Sequence, residues 1–119
     1  LLGASAALLL NVLKELAGDM VVYQADGLLH IGRIAAVPEE TVQITDEGEL
    51  VINGYTQADT EVFYEKGPAN GTEEQSLGKG EYYILADDPS STEDSRSYGP
   101  ILRKQIKGIV VTLIRRRNL

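Results

Sequence analysis

The chain of 119 residues has no cysteine and no tryptophan, and a single phenylalanine, histidine and methionine. Without thiols there is no disulfide framework and no thiolate metal site. That absence selects neither the cytosol nor the cell exterior. With one histidine, His30, a multi-histidine metal centre is excluded, and any histidine-based triad would have to use that residue. A core so poor in large aromatics must be aliphatic, supplemented by tyrosine. No run reaches the roughly 18 apolar residues that a membrane-spanning helix needs. Positive charge is also scarce: 11 Lys and Arg stand against 18 Asp and Glu, a net charge of −7 with a pI near 4.6. Such a surface repels phosphate backbones, so nucleic acid is not an expected partner. The one basic run, Arg115-Arg116-Arg117, reads as a solvated tail, with contact to an anionic membrane surface as the alternative.

What is present fits one small domain able to bury a core unaided. Twelve glycines and four prolines imply many turns and a β-rich architecture. Residues 6–16 carry Leu9, Leu10, Leu13 and Leu16 at helical spacing and end before Gly18, which predicts a short helix. Residues 1–17 are therefore assigned to an N-terminal helical segment or linker and 18–119 to a β-domain. The chain opens without a methionine, so a piece of a longer, anchored protein is expected. Beyond Gly18 the period changes. Strands are predicted over 20–23 and 28–36, the second ended by Pro38, and over 41–45, where Val42 and Ile44 alternate. The Asp46-Glu47-Gly48 turn leads to a strand over 50–52, closed by Asn53-Gly54. Residues 58–79 read as a polar exposed loop, with Val62 and Phe63 as an edge strand. A strand is predicted over 82–85, a long loop over 87–99, and a last strand over 106–114 in which Gly108 marks a bulge or close approach. The sum is a mainly β, antiparallel, barrel-like domain with a short N-terminal helix.

Three segments in order resemble type I signal peptidases, the membrane-anchored serine proteases that remove signal peptides from exported proteins. The most specific is Tyr82-Tyr83-Ile84-Leu85-Ala86-Asp87-Asp88, followed by Thr92-Glu93-Asp94-Ser95-Arg96 and Gly99. The family reads Gly-Asp-Asn and then Ser-x-Asp-Ser-Arg with a nearby Gly. Asp87, Asp94, Ser95, Arg96 and Gly99 match it, and Ala86, Asp88 and Thr92 depart from it. The second is Gly32-Arg33-Ile34-Ala35-Ala36-Val37-Pro38 with Asn53-Gly54 further on, where the family reads Lys-Arg-Val-Ile-Gly-x-Pro-Gly and later Asn-Gly. The third is Gly18-Asp19-Met20-Val21-Val22-Tyr23, similar to the family's Gly-Asp-Ile-Val-x-Phe strand. The family's Ser-Met-x-Pro-Thr-Leu box, which carries the nucleophile, is missing: Gly3-Ala4-Ser5 is the one candidate remnant and lacks the Met and Pro, so the box is expected either upstream or in degenerate form.

The resemblance implies a Ser-Lys dyad, in which a neutral, desolvated lysine takes the proton of the serine. At the lysine position stands Gly32. It can accept no proton, and Arg33 beside it stays protonated and projects from the other side of the strand. Glycine in a strand is otherwise a bulge or a tight packing point. Thr92 matches a family serine that bonds the lysine, so with Gly32 opposite it has nothing to orient. Asp87 and the Asp94, Ser95 and Arg96 group resemble the family's loop beside the site. Asp94 and Arg96 are expected to brace that loop as an ion pair, with Tyr98 and Gly99 helping it to close. The carboxylates Asp87, Asp88, Glu93 and Asp94 have no calcium-loop spacing, so no metal and no cofactor is expected. His30 lies on the same strand face as Gly32, and structural satisfaction is its ordinary role.

The resemblance further implies a protein on the extracytoplasmic face of the cell membrane. It would hold an exported polypeptide, a pilin subunit being the candidate. Catalytically altered relatives of this kind are encoded with surface pili in Gram-positive bacteria and assist their assembly. The rival expectation is an active signal peptidase with its serine upstream and another group as base.

Overall fold

The computed structural model describes residues 17–57, 62–71 and 73–111. The predicted helix over 6–16, Ser5, Lys14 and the arginine run lie outside the described residues.

The organising unit is a hairpin of β1 (Met20–Ala25) and β2 (Leu28–Ala36), paired in register from Met20 opposite Arg33 to Ala25 opposite Leu28. Its two-residue turn is Asp26-Gly27, with φ of 53° and 75°. Both torsions are left-handed, as the turn that matches strand twist requires. Asn53-Gly54, with φ of 52° and 80°, makes the same turn between β4 (Leu50–Ile52) and β5 (Tyr55–Thr56). Adding β3 (Thr41–Ile44), β6 (Gln75–Ser76), β7 (Glu81–Leu85), β8 (Ile101–Leu102) and β9 (Ile106–Ile109) gives two antiparallel sheets. One runs β8-β7-β2-β1-β9 and the other β5-β4-β3-β6. This is the mainly β, antiparallel architecture the turns and alternation predict. The only α-helix among the described residues is one turn, α1 (Ser95–Tyr98).

Side-chain alternation divides the core in two. Val21, Tyr23, Ile34, Tyr82, Ile84 and Ile101 form one cluster. Val42, Ile44, Ile52, Leu77, Tyr83 and Leu85 form the other, between the sheets. Strand β7 serves both: Tyr82 and Ile84 point one way and Tyr83 and Leu85 the other, which is why Tyr-Tyr-Ile-Leu is an unbroken apolar run.

Several details differ from the sequence reading. Val62 and Phe63 join no ladder; the edges of the second sheet are β5 and β6, two residues each. Such short polar strands leave no periodic signal. The loop over 87–99 contains α1, and β9 ends at Ile109, with 112–114 outside the described residues. Opposite β1, Tyr23 pairs with Ile106 and Val22 with Gly108, so Lys107 is an extra, unpaired residue and the expected irregularity at Gly108 is a bulge. Strand β1 is paired along its whole length with residues 28–33 of β2, but β7 pairs only with Arg33, Ile34 and Ala36 of β2. On that side residues 28–32 have no strand partner among the described residues.

Glu39 follows Pro38 with φ of 72°, where the resembling family carries glycine. A side chain in the left-handed region costs about 1 kcal/mol or more. Glu39→Gly is expected to stabilise the domain by up to about 1 kcal/mol, since glycine's extra chain entropy offsets part of the relief. Urea midpoints read this, and a lower midpoint would contradict it.

Candidate functional site

Gly32 lies mid-strand on β2, buried, with its missing side chain directed at the first core. A Cβ placed there would stand 2.6 Å from Ile84 Cγ2, 3.1 Å from the Leu85 carbonyl oxygen and 3.4 Å from a ring carbon of Tyr23. A contact of 2.6 Å with a methyl group fixed to a β-branched carbon cannot be relieved by swinging a flexible tip. The niche is closed by packing as well as lacking an amine.

Arg33 is exposed on the opposite side of the strand. It donates to the Asp87 carboxylate at 3.2 and 3.3 Å and to the Gly18 carbonyl at 2.9 Å. The four described lysines sit elsewhere. Lys66 donates to Asp46 at 2.7 Å, Lys107 donates to the Lys104 carbonyl at 3.1 Å, and Lys79 and Lys104 are exposed.

The loop over 87–99 is stitched to β7, the strand that walls the niche. Asp94 caps α1, accepting from the Arg96 amide at 2.9 Å, and also accepts from the Ala86 amide at 2.7 Å. Ser95 Oγ accepts from the Ile84 amide at 2.8 Å. Asp94 and Arg96 form an ion pair at 2.6 Å with both side chains at 0% exposure. The guanidinium also donates to the carbonyls of Glu65 at 3.1 Å, Pro89 at 2.6 Å and Ser91, and it lies 5.5 Å from the centre of the Tyr64 ring. The Arg96 carbonyl in turn accepts from the Ala69 amide at 2.7 Å and leaves no room for a Cβ at Gly67. Thr92 is half-buried, and its carbonyl accepts from the Asp94 amide at 2.9 Å and from Ser97 Oγ.

Sequence reasoning missed the segment over 62–71, which looked like an exposed loop but straps the Arg96 loop down. Asn70 of that strap donates to the Tyr83 hydroxyl at 2.6 Å. The signal was present in Gly67-Pro68 and Asn70-Gly71. They mark turns, but turn markers do not say what a turn packs against.

On the niche's other flank, His30 stacks on Tyr23 with ring centres 5.3 Å apart and meets Tyr98 at 5.1 Å. Its Nε2 is 3.0 Å from the Ala25 carbonyl, which can only accept, so that nitrogen carries a proton and donates. The Tyr23 hydroxyl is buried and has no hydrogen-bond partner among the described residues, and burial, reinforced by the Asp94 charge, pushes its ionisation upward. Burial likewise raises Tyr83 to about 12. Asp87 and Asp88 are exposed, and the Ser90 hydroxyl and amide hold the Asp88 carboxyl below its usual range. Among the described residues no cluster of three or more His, Cys, Asp or Glu is placed to hold a metal ion.

The family model for signal peptidase, peptidase S26, matches residues 10–114. The chain belongs to this family. It is 28% identical over 105 residues to Signal peptidase I V of Bacillus subtilis, the match covering 77% of this chain and 62% of that protein. The chain thus spans under two thirds of that relative's length. Its fold is similar to the crystal structure of a signal peptidase I from Enterococcus faecalis, with a TM-score of 0.63 at 19% identity, over 80% of this chain and 95% of the other.

Proposed function

We propose that this chain is the outward-facing β-domain of a membrane-anchored signal peptidase relative that holds an exported polypeptide without cutting it. The narrower proposal for the partner is a pilin subunit, and for the role, support of surface pilus assembly. The observation that carries the reading is Gly32: where the family's pattern places the general base, a glycine is packed against Ile84 and Tyr23. Asp87 and the Asp94, Ser95 and Arg96 triplet are proposed to keep the loop beside this position in shape. Gly32 and Thr92 are the degenerate positions.

Binding is supported by the neighbouring strand edge. Residues 28–32 of β2 lack a partner on the β7 side among the described residues, and Leu29 and Ile31 are 66% and 60% exposed there. An extended chain added along such an edge gains main-chain hydrogen bonds, and alternate side chains supply selectivity. The rival reading, an active peptidase, requires another group as base; the imidazole beside the niche, His30, already donates from Nε2 to the Ala25 carbonyl and is stacked on Tyr23.

A labelled peptide from an exported partner, tested by fluorescence anisotropy, addresses this. Ile31→Asp is expected to weaken binding by about 10-fold or more, the equivalent of losing one buried aliphatic side chain. Affinity unchanged by Ile31→Asp would remove this edge from the reading.

A further inference from the structure

The free edge of β2 ends at Arg33. From there on β7 occupies the slot, with Leu85 opposite Arg33 and Ile84 opposite Ile34. A chain laid along residues 28–32 must therefore lift off the sheet at this point. The side that carries His30 and Gly32 is walled by the 87–99 loop: Tyr98 meets the His30 ring at 5.1 Å, and Ser95 Oγ accepts from the Ile84 amide at 2.8 Å. The other side carries Leu29, Ile31, Arg33 and Ala35 in one row, since alternate residues of a strand share a face. At the far end of that row the second core reaches the surface in a cleft of about 430 Å³. Ala35, Leu50, Val62, Tyr64 and Leu85 line it, together with the Arg33–Asp87 ion pair.

We infer, resting on the edge-binding reading above, that this cleft takes one bulky apolar side chain of the polypeptide held along β2. Its volume stands at the small end of ligand sites, suited to a single large side chain. Its chemistry selects against charge. Arg33 and Asp87 already satisfy one another at 3.2 and 3.3 Å. A charged guest group entering the cleft gives up water and finds no unpaired countercharge among the lining residues. Arg33 spends three of its five N–H groups on Asp87 and the Gly18 carbonyl. The other two are left for a main-chain carbonyl of the guest as it lifts away. Reach sets the spacing. Two residues beyond the one opposite Ile31, a guest chain has advanced about 7 Å, to the level of Arg33. From there a long side chain extends over Ala35, and a methyl group does not. The partner's pattern is thus two apolar residues at alternate positions, facing Leu29 and Ile31, and a bulky apolar residue at the next alternate position.

The probes are fluorescein-labelled peptides containing Val-Thr-Val-Thr-Phe or, because a strand edge accepts either direction, Phe-Thr-Val-Thr-Val. Each is compared with the same peptide carrying alanine or glutamate in place of phenylalanine. In anisotropy titrations of the full chain, phenylalanine in one of the two orders is expected to bind about 10-fold or more tighter than alanine. Glutamate is expected to bind no tighter than alanine. Val62→Trp fills the cleft from a residue that joins no ladder, and Ala35→Leu fills it from β2. Each should bring the phenylalanine-to-alanine ratio toward unity and leave the alanine peptide's affinity unchanged, and either suffices where the other does not fold. Equal binding of the phenylalanine and alanine peptides, both weakened by Ile31→Asp, would leave the edge in place and overturn the cleft. A phenylalanine preference that survives both cleft variants would overturn it too, since the ring then lodges elsewhere. No binding of any peptide, or binding indifferent to Ile31→Asp, would overturn the edge reading and the cleft with it.

Discussion

Arg96→Ala is expected to lower the unfolding free energy by about 3–5 kcal/mol, because it leaves the Asp94 carboxylate buried beside no countercharge. Both partners are at 0% exposure, so solvent screening gives no relief. The loss is large against the roughly 5–15 kcal/mol that holds a domain together. It is not confined to one ion pair. The guanidinium reaches Glu65, Pro89 and Ser91 carbonyls, so its removal unties the 62–71 strap as well as the 87–99 loop. Urea denaturation followed by circular dichroism reads the effect. The charge argument has its own control: Asp94→Asn in the Arg96→Ala background removes the stranded charge and should recover part of the loss. If Arg96→Ala unfolds within 1 kcal/mol of the parent protein, the guanidinium is not the tie described here.

The second large effect concerns cleavage. The full-length protein, incubated with a signal-peptide substrate, is expected to cut at least ~10²- to 10⁴-fold more slowly than an active member of the family, the contribution of general-base help. The deficit reaches the order of 10⁶ where nucleophile and base act as one unit. Restoring the amine is not a matter of one codon. Gly32→Lys drives its Cβ to 2.6 Å from Ile84 Cγ2, and overpacking of this kind costs about 1–3 kcal/mol. The single variant should therefore be less stable and still not cut, whereas Gly32→Lys with Ile84→Ala opens the space a lysine stem needs. Efficient cleavage by the unmodified protein would end the non-cleaving reading. Efficient cleavage by Gly32→Lys alone would end the claim that the niche is closed.

How much of this was legible in the sequence depended on the range of the interactions. Asp26-Gly27 and Asn53-Gly54 announced their turns because left-handed torsions select for those residue types locally. Strand β3 was visible in period-two alternation, and β1, β2, β4 and β7 as short apolar, branched or aromatic runs bounded by turn residues. Strands β5 and β6 were not, since two residues cannot display a period and Gln75-Ser76 exists only as the partner of Thr41 and Val42. At the site, the Asp94 and Arg96 pairing is a two-residue relation and could be anticipated from the resemblance. The contacts of Arg96 with Glu65 and Tyr64 bridge some thirty residues, and no local pattern encodes them. Likewise the sequence disclosed that Gly32 lacks an amine. Only the fold disclosed that Ile84 and Tyr23 border the space.

The unpaired Lys107 on the outermost strand has an outcome at the scale of many molecules. A neighbouring chain trying to zip onto that rim would match at Ile109 and then fall out of phase before Ile106, because the spacing of donors and acceptors slips by one residue. Lateral growth stalls after a few hydrogen bonds. At the crowded cell exterior proposed for this domain, that phase slip would keep individual copies from fusing into ribbons.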